Sequence, residues 1–321
     1  MTQPLEGASE GQRRELKKLR LDLGPTVLDA LEDPQTVEVM LNADGRLWQE
    51  RLGEGMREVG RMDPWQAEAL IRGVAACLKT TVTWERPLIE GELPLDGSRF
   101  AAQLPPVVSS PTFAIRKRAS SVYTLDEYVA AGILTPGHRA ILGDAIRQHR
   151  NILVSGSTGA GKTTLLNALG AETSRQCPHE RIVIIEDTLE LQCSSPNRVQ
   201  FHTSAEVSMT KLLRTTLRMR PDRILVGEVR GPEALDLLMS WNTGHEGGLA
   251  TVHANNARSA LTRLEMLVSM HPEAPHPIAP LIGEAVHLIV HIARADGIGR
   301  RVREVLAVEG HGPSGYKLQP L

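Results

Sequence analysis

The segment Asn151–Leu169, NILVSGSTGAGKTTLLNAL, constrains the rest of the chain more than any other stretch. A short apolar run, Ile152–Val154, reads as a buried parallel strand. It enters a glycine-rich turn, Gly156-Ser157-Thr158-Gly159-Ala160-Gly161-Lys162-Thr163, and leaves it as a helix. This is G-x-x-x-x-G-K-[ST] between a strand and a helix, the context in which the pattern means a phosphate-binding loop. The glycines let the backbone take positive φ and close around an anion. Amides at the start of the following helix, and the helix dipole, favour negative charge there. Lys162 supplies a point charge for β/γ-phosphates, and the Thr163 hydroxyl is placed to ligate Mg²⁺. The alternative is a glycine turn that binds nothing. It gives a lysine aimed into a nest of amides no purpose.

With 321 residues the chain is long enough for two domains with a core each. A net charge of −2 gives no global field to draw the chain to nucleic acid or anionic lipid. An aromatic content of 3% argues against base-stacking platforms. No window of 18 consecutive apolar residues occurs and no signal-peptide core follows Met1, so any membrane contact is expected to be peripheral. Cys77, Cys177 and Cys193 contain no C-x-x-C pair, which favours reduced cytoplasmic thiols over a disulfide framework or a zinc site.

In chain order, residues 1–24 form a polar leading segment. Within it QRRELKKLRLDL, residues 12–23, reads as a basic, solvated helix, with contact to a membrane surface as the alternative. Residues 25–118 read as a small α+β domain. A helix near 25–31 precedes strand-like runs at 36–41 and 46–49 around an Asp44-Gly45 turn, and Asp63-Pro64 opens a second helix. Further strand-like runs lie at 88–93, 98–104 and 112–117. Residues 119–135 read as a linker. From 136 to 321, strands and helices alternate, the pattern of a parallel sheet covered by helices, and the tail closes with strands at 287–293 and 302–309.

Two of these strands end in acid. Ile224–Gly227 delivers Glu228, and Ile182–Ile185 delivers Glu186 and Asp187. The carboxyl ends of strands in open α/β sheets face the ligand crevice, where such acids organise Mg²⁺ and water. In TGHEGGLATVH, residues 243–253, Gly244, Gly247 and Gly248 make the backbone pliable, and His245 and His253 read together as a γ-phosphate sensor. Read singly, they are a helix cap and a satisfied core histidine. His287 and His291 lie in an apolar run and read as structural. For positive charge at the transition state, Arg99 and Arg116 on adjacent strands are candidates to close over a nucleotide from the first domain. Arg218, Arg220 and Arg230 flank the Glu228 strand and are further candidates, including across a subunit interface.

Four boxes now stand in order: GSTGAGKTT at 156–164, IIEDTLEL at 184–191, RMRPDRILVGEVRG at 218–231 and TGHEGGLATVHANN at 243–256. In this order and wording the chain resembles the secretion and traffic ATPases of type II secretion, type IV secretion and type IV pili. LNADGRLWQERLGEG and LPLDGSRFAAQLPP resemble the same family's amino-terminal domain, so the likeness spans about residues 25–310. The chain lacks the four-cysteine zinc insertion usual in type II enzymes and the AIRNLIRE-like helix of retraction motors, and it ends in what looks like a terminal hairpin. It therefore resembles the branch serving conjugative DNA transfer through type IV secretion.

The resemblance implies an α/β fold class, a RecA-like P-loop NTPase domain with a parallel-rich sheet behind a smaller α+β, PAS-like domain. It implies ATP and Mg²⁺ as cofactors. Gly156, Ser157, Thr158, Gly159, Ala160, Gly161, Lys162, Thr163, Thr164 and His245 would bind nucleotide. Lys162, Glu186, Glu228, His253, Arg99 and Arg116 would serve catalysis, with Thr163, Glu228 and Glu186 on Mg²⁺. It further implies a homo-hexameric ring on the cytoplasmic face of the inner membrane. That ring would act with inner-membrane components of the apparatus and without sequence-specific nucleic-acid binding. A pilus or type II secretion motor, a nucleotide-gated ring scaffold and a direct DNA translocase are the alternative functions.

Overall fold

The computed structural model describes residues 9–52, 54–118, 122–204, 206–295 and 299–321. They belong to two units, residues 1–120 and 121–321, each with its own apolar core.

The first unit opens with α1 (Glu10–Glu32), started by a capping box in which the Ser9 and Gln12 side chains exchange hydrogen bonds with each other's backbone. The helix breaks at Gly24, whose φ is +74, just before Pro25. α1 is not the solvated leader expected from its charges. Leu19 and Leu23 are 2% and 1% exposed, and Val27 and Leu31 extend the same stripe at helical spacing. That stripe packs on the helix Pro64–Cys77, and the lysines and arginines of α1 lie exposed on the other face.

Three strands follow, β1 (Thr36–Leu41), β2 (Arg46–Arg51) and β3 (Met56–Arg61), then α2 (Pro64–Cys77), β4 (Leu88–Glu92), β5 (Arg99–Gln103) and β6 (Thr112–Arg116). All pairings are antiparallel, in the order β3-β2-β1-β6-β5-β4. The β1–β2 hairpin turns at Gly45, with φ +80 and its N–H donating to the Asn42 carbonyl. β3 has little apolar alternation to announce it, since MREVGR is a largely exposed edge strand.

The second unit begins with α3 (Leu125–Ala130), inside the stretch expected to be a linker. Thr124 and Glu127 form a capping box there, and Leu125 and Tyr128 are buried in the core. Then come α4 (Pro136–Arg147), β7 (Ile152–Gly156), α5 (Lys162–Gln176), β8 (Ile182–Glu186) and β9 (Arg198–His202). They are followed by α6 (Met209–Thr216), β10 (Arg223–Val229), α7 (Glu233–Asn242), β11 (Leu249–His253), α8 (Ala257–Ser269) and α9 (Ala279–Ala285). β12 (Leu288–Ala295), β13 (Gly299–Gly312) and β14 (Gly315–Pro320) complete the chain.

The sheet order is β14-β13-β12-β7-β11-β10-β8-β9. From β12 to β9 every neighbour is parallel, while β13 and β14 return antiparallel. Every residue of β7 and β8 is buried, as parallel strands covered on both faces must be. Alternate side chains feed opposite cores: Ile152 and Val154 join α4 and α5, and Leu153 joins α6, α7 and α8. The parallel register brings the carboxyl ends of β7, β11, β10 and β8 to one edge, with Gly156 opposite His253. Among the described residues, no helix is long and apolar enough to cross a membrane.

Candidate functional site

β7 holds its last residue tightly. A Cβ on Gly156 would lie 2.4 Å from the Ile292 carbonyl oxygen, so only glycine fits between the two strands. Beyond it the loop turns on Gly159, φ +70, and Gly161, φ +97 and in the left-handed region as the N-cap of α5. Glycine offers no capping side chain, and the first turn of α5 carries no acid. No side chain caps this helix, in contrast to the capping boxes that start α1, α3 and α8, so its positive end faces the loop as an anion site would require. A polyphosphate fits this cradle. Lys162, 9% exposed, curls back so that Nζ donates to the Ser157 carbonyl at 3.3 Å. Thr163 and Thr164 follow it in the first turn, half-buried.

Glu228, near the end of β10, comes within 3.8 Å of the Lys162 Nζ through Oε1. Its Oε2 accepts from Arg230 Nη2 at 2.6 Å and Nε at 3.0 Å. Burial pushes this carboxyl up, but Arg230, Lys162 and His253 together outweigh burial and hold it below the usual carboxylate range. It is an ionised oxygen donor beside the loop lysine, of a kind suited to a hard cation such as Mg²⁺. Arg230 also reaches Asp187, 3.6 Å away, and so ties the ends of β8 and β10 together.

Glu186 is placed differently from the expectation that it organises metal and water. It is 2% exposed, and its Oε1 accepts from the Glu190 and Leu191 amides at 2.9 and 2.7 Å. Its Oε2 accepts from Gln200 Nε2 at 2.7 Å. Oε1 thus holds the loop after β8, and Oε2 holds the Gln200 side chain of β9, which also donates to the Leu191 carbonyl of that loop. Burial raises its pKa against these hydrogen bonds. Asn167 on α5 braces the same loop, accepting from the Gln192 amide and donating to the Glu190 carbonyl.

The two histidines of the glycine segment, expected to serve one site, lie at opposite ends of β11. His253, at the carboxyl end of β11, puts Nδ1 3.5 Å from the Thr158 hydroxyl in the loop. His245 precedes β11 and lies at its other end, with Nδ1 3.2 Å from the Pro221 carbonyl oxygen. β11 is extended between them, roughly 13 Å of strand at 3.3 Å per residue, which puts His245 out of reach of the loop. Arg218 and Arg220 precede β10 on that same far side, so of the three arginines flanking this strand only Arg230 faces the site. Arg99 and Arg116 are direct cross-strand partners in the first unit. His287 accepts from the Asn151 amide and His291 pairs with Ser155, both roles in strand architecture.

Two arginines that no motif announced lie against the loop. A Cβ on Gly159 would meet an Arg294 guanidinium nitrogen at 2.8 Å, and one on Gly161 would meet Arg300 Cδ at 3.0 Å. They come from the ends of β12 and β13, far along the chain from the loop, so no local spacing could flag them.

Comparison with known proteins agrees with this architecture. The conjugal transfer protein TrbB of Rhizobium radiobacter is 50% identical over 307 residues, covering 95% of this chain and 94% of its own length. The crystal structure of the VirB11 ATPase from the Brucella suis type IV secretion system, in complex with sulphate, matches with a TM-score of 0.51 and 29% identity. It covers 93% of this chain and 97% of that one. The Legionella pneumophila ATPase DotB shares the fold at a TM-score of 0.62 and 19% identity, covering 87% of this chain and 79% of its own. The family described as Type II/IV secretion system protein matches residues 37–303, and the chain belongs to that family.

Proposed function

We propose that this protein is the Mg²⁺-dependent ATP-hydrolysing motor of a type IV secretion apparatus for conjugative DNA transfer. The observation that carries the reading is the pairing of an uncapped P-loop helix with an ionised carboxylate, Glu228, 3.8 Å from the loop lysine. In this reading the second unit is a RecA-like NTPase domain and the first a PAS-like partner domain. Six chains form a ring at the cytoplasmic face of the inner membrane. The ring works with membrane components of the apparatus and reads no DNA sequence. The family supports these assignments.

The loop amides and Lys162 hold the phosphates, and Glu228 orients the attacking water toward the γ-phosphorus. Thr163 and Glu228 would hold Mg²⁺, which supplies charge neutralisation on the phosphate oxygens. Glu186 shapes the loop bearing Asp187 rather than touching the reacting atoms. His253, in contact with Thr158, is placed to register the γ-phosphate.

Phosphate release with Mg²⁺ and saturating ATP tests the reading. Lys162→Ala is expected to abolish turnover while the protein stays folded by circular dichroism. Turnover at the wild-type rate in that variant would remove the P-loop from the reaction.

A further inference from the structure

β12 is longer than the strand it flanks. Its pairing with β7 runs from Leu288–Ile152 to His291–Ser155. β12 then continues to Ala295, paired only with β13 beyond that point. The overhang runs beside the loop that follows β7, and this is why the Arg294 guanidinium rests on Gly159 and the Arg300 stem on Gly161. Arg294 and Arg300 are also direct cross-strand partners. The pairing thus sets two arginine side chains side by side against an anion cradle. The guanidinium fork, moreover, suits phosphate oxygens better than an ammonium does.

We propose that Arg294 and Arg300 are nucleotide-binding residues, a clamp supplied by the β12–β13 hairpin to the α- and β-phosphates. The inference rests on the P-loop being a nucleotide site and adds a source of charge within the same unit. Backbone amides of such a loop cradle the α- and β-phosphates, while its lysine reaches the β- and γ-phosphates. Groups lying against the loop glycines therefore belong to the part of the ligand that ADP and ATP share. The hairpin would hold both substrate and product.

The test is isothermal titration of full-length protein with ADP and with a non-hydrolysable ATP analogue, alongside steady-state KM and kcat. Arg294→Ala is expected to weaken both ligands by a similar factor, about tenfold or more, the effect of losing one charged hydrogen bond. KM should rise by that factor and kcat change little. Arg294→Lys should recover part of the affinity, a rescue that a purely packing role would not give. Arg300→Gln, which keeps most of the aliphatic stem, provides the second variant should Arg294→Ala unfold. Affinities within twofold of wild type in the folded variants overturn the clamp and leave the P-loop reading standing. Loss confined to the ATP analogue also overturns it. A wild-type protein that binds neither nucleotide overturns both readings.

Discussion

Glu228 keeps its charge in a place where burial alone would take it away. Arg230 is the largest of the groups opposing burial, ahead of Lys162 and His253. Removing it should let burial prevail, so Arg230→Ala is expected to raise the Glu228 pKa. The acid limb of the pH profile of kcat/KM then moves to higher pH, and a profile that stays in place would detach Arg230 from the control of that carboxylate. Glu228→Gln, which keeps shape but not basicity, should still bind ATP and hydrolyse it at least about tenfold more slowly in single turnover. Near-normal hydrolysis would give the water to another group. The loop residues were legible because a phosphate cradle demands glycine, lysine and threonine in one short register. His245 was misplaced because a strand pattern states that a segment is extended but not which of its ends meets the ligand. Arg294 and Arg300 carried no local signal, since only the pairing of β12 with β7 brings them to the loop.

Among elements, α3, α4 and α5 are joined by a charged cluster. Arg139 bonds Asp126 at 2.7 Å and Glu172 at 3.3 Å, and Arg175 closes on Glu172 at 2.7 Å. The Arg175 hydrogen bond leads in drawing the Glu172 carboxyl down to about 2 from its ordinary 4.5; burial opposes it, and Gln176 and Arg139 assist. A carboxylate depressed on folding stabilises the fold above its unfolded pKa, and that stability is lost as pH falls through the folded value. The resistance of the wild type to urea should therefore fall as pH drops from 4.5 to about 2. Glu172→Gln should be less stable at neutral pH and show a flatter acid limb. An identical limb in the variant would mean that other carboxylates govern it. Most strands of the larger sheet were readable from apolar runs flanked by turns, but not the two edge strands β9 and β14, which are largely exposed. α3 was hidden by its shortness, although its T-x-x-E capping box was present in the sequence, and β3 by the polarity of an edge strand. α1 was misjudged because charge density was weighed above the Leu19–Leu23–Val27 stripe that its neighbours bury.

At the scale of the whole molecule, the proposed ring makes each chain depend on its copies. Specific ATPase activity should rise with protein concentration as rings form and then level off, with sedimentation reporting assembly over the same range. Activity per chain that is independent of concentration would mean that one chain completes its own site. Alternation of strand and helix made the parallel part of the larger sheet readable apart from its edge strand β9, but not the order of its strands, because order depends on pairings between segments far apart in the chain. That order also governs when a working site can exist on the ribosome. β7, made early, gains its two neighbours only when residues 249–253 and 288–291 have emerged. The first unit, whose sheet closes within residues 36–116, has all its partners long before. A message cut short before Leu288 therefore yields a finished amino-terminal unit bearing a P-loop strand with one side open, and no half-strength motor.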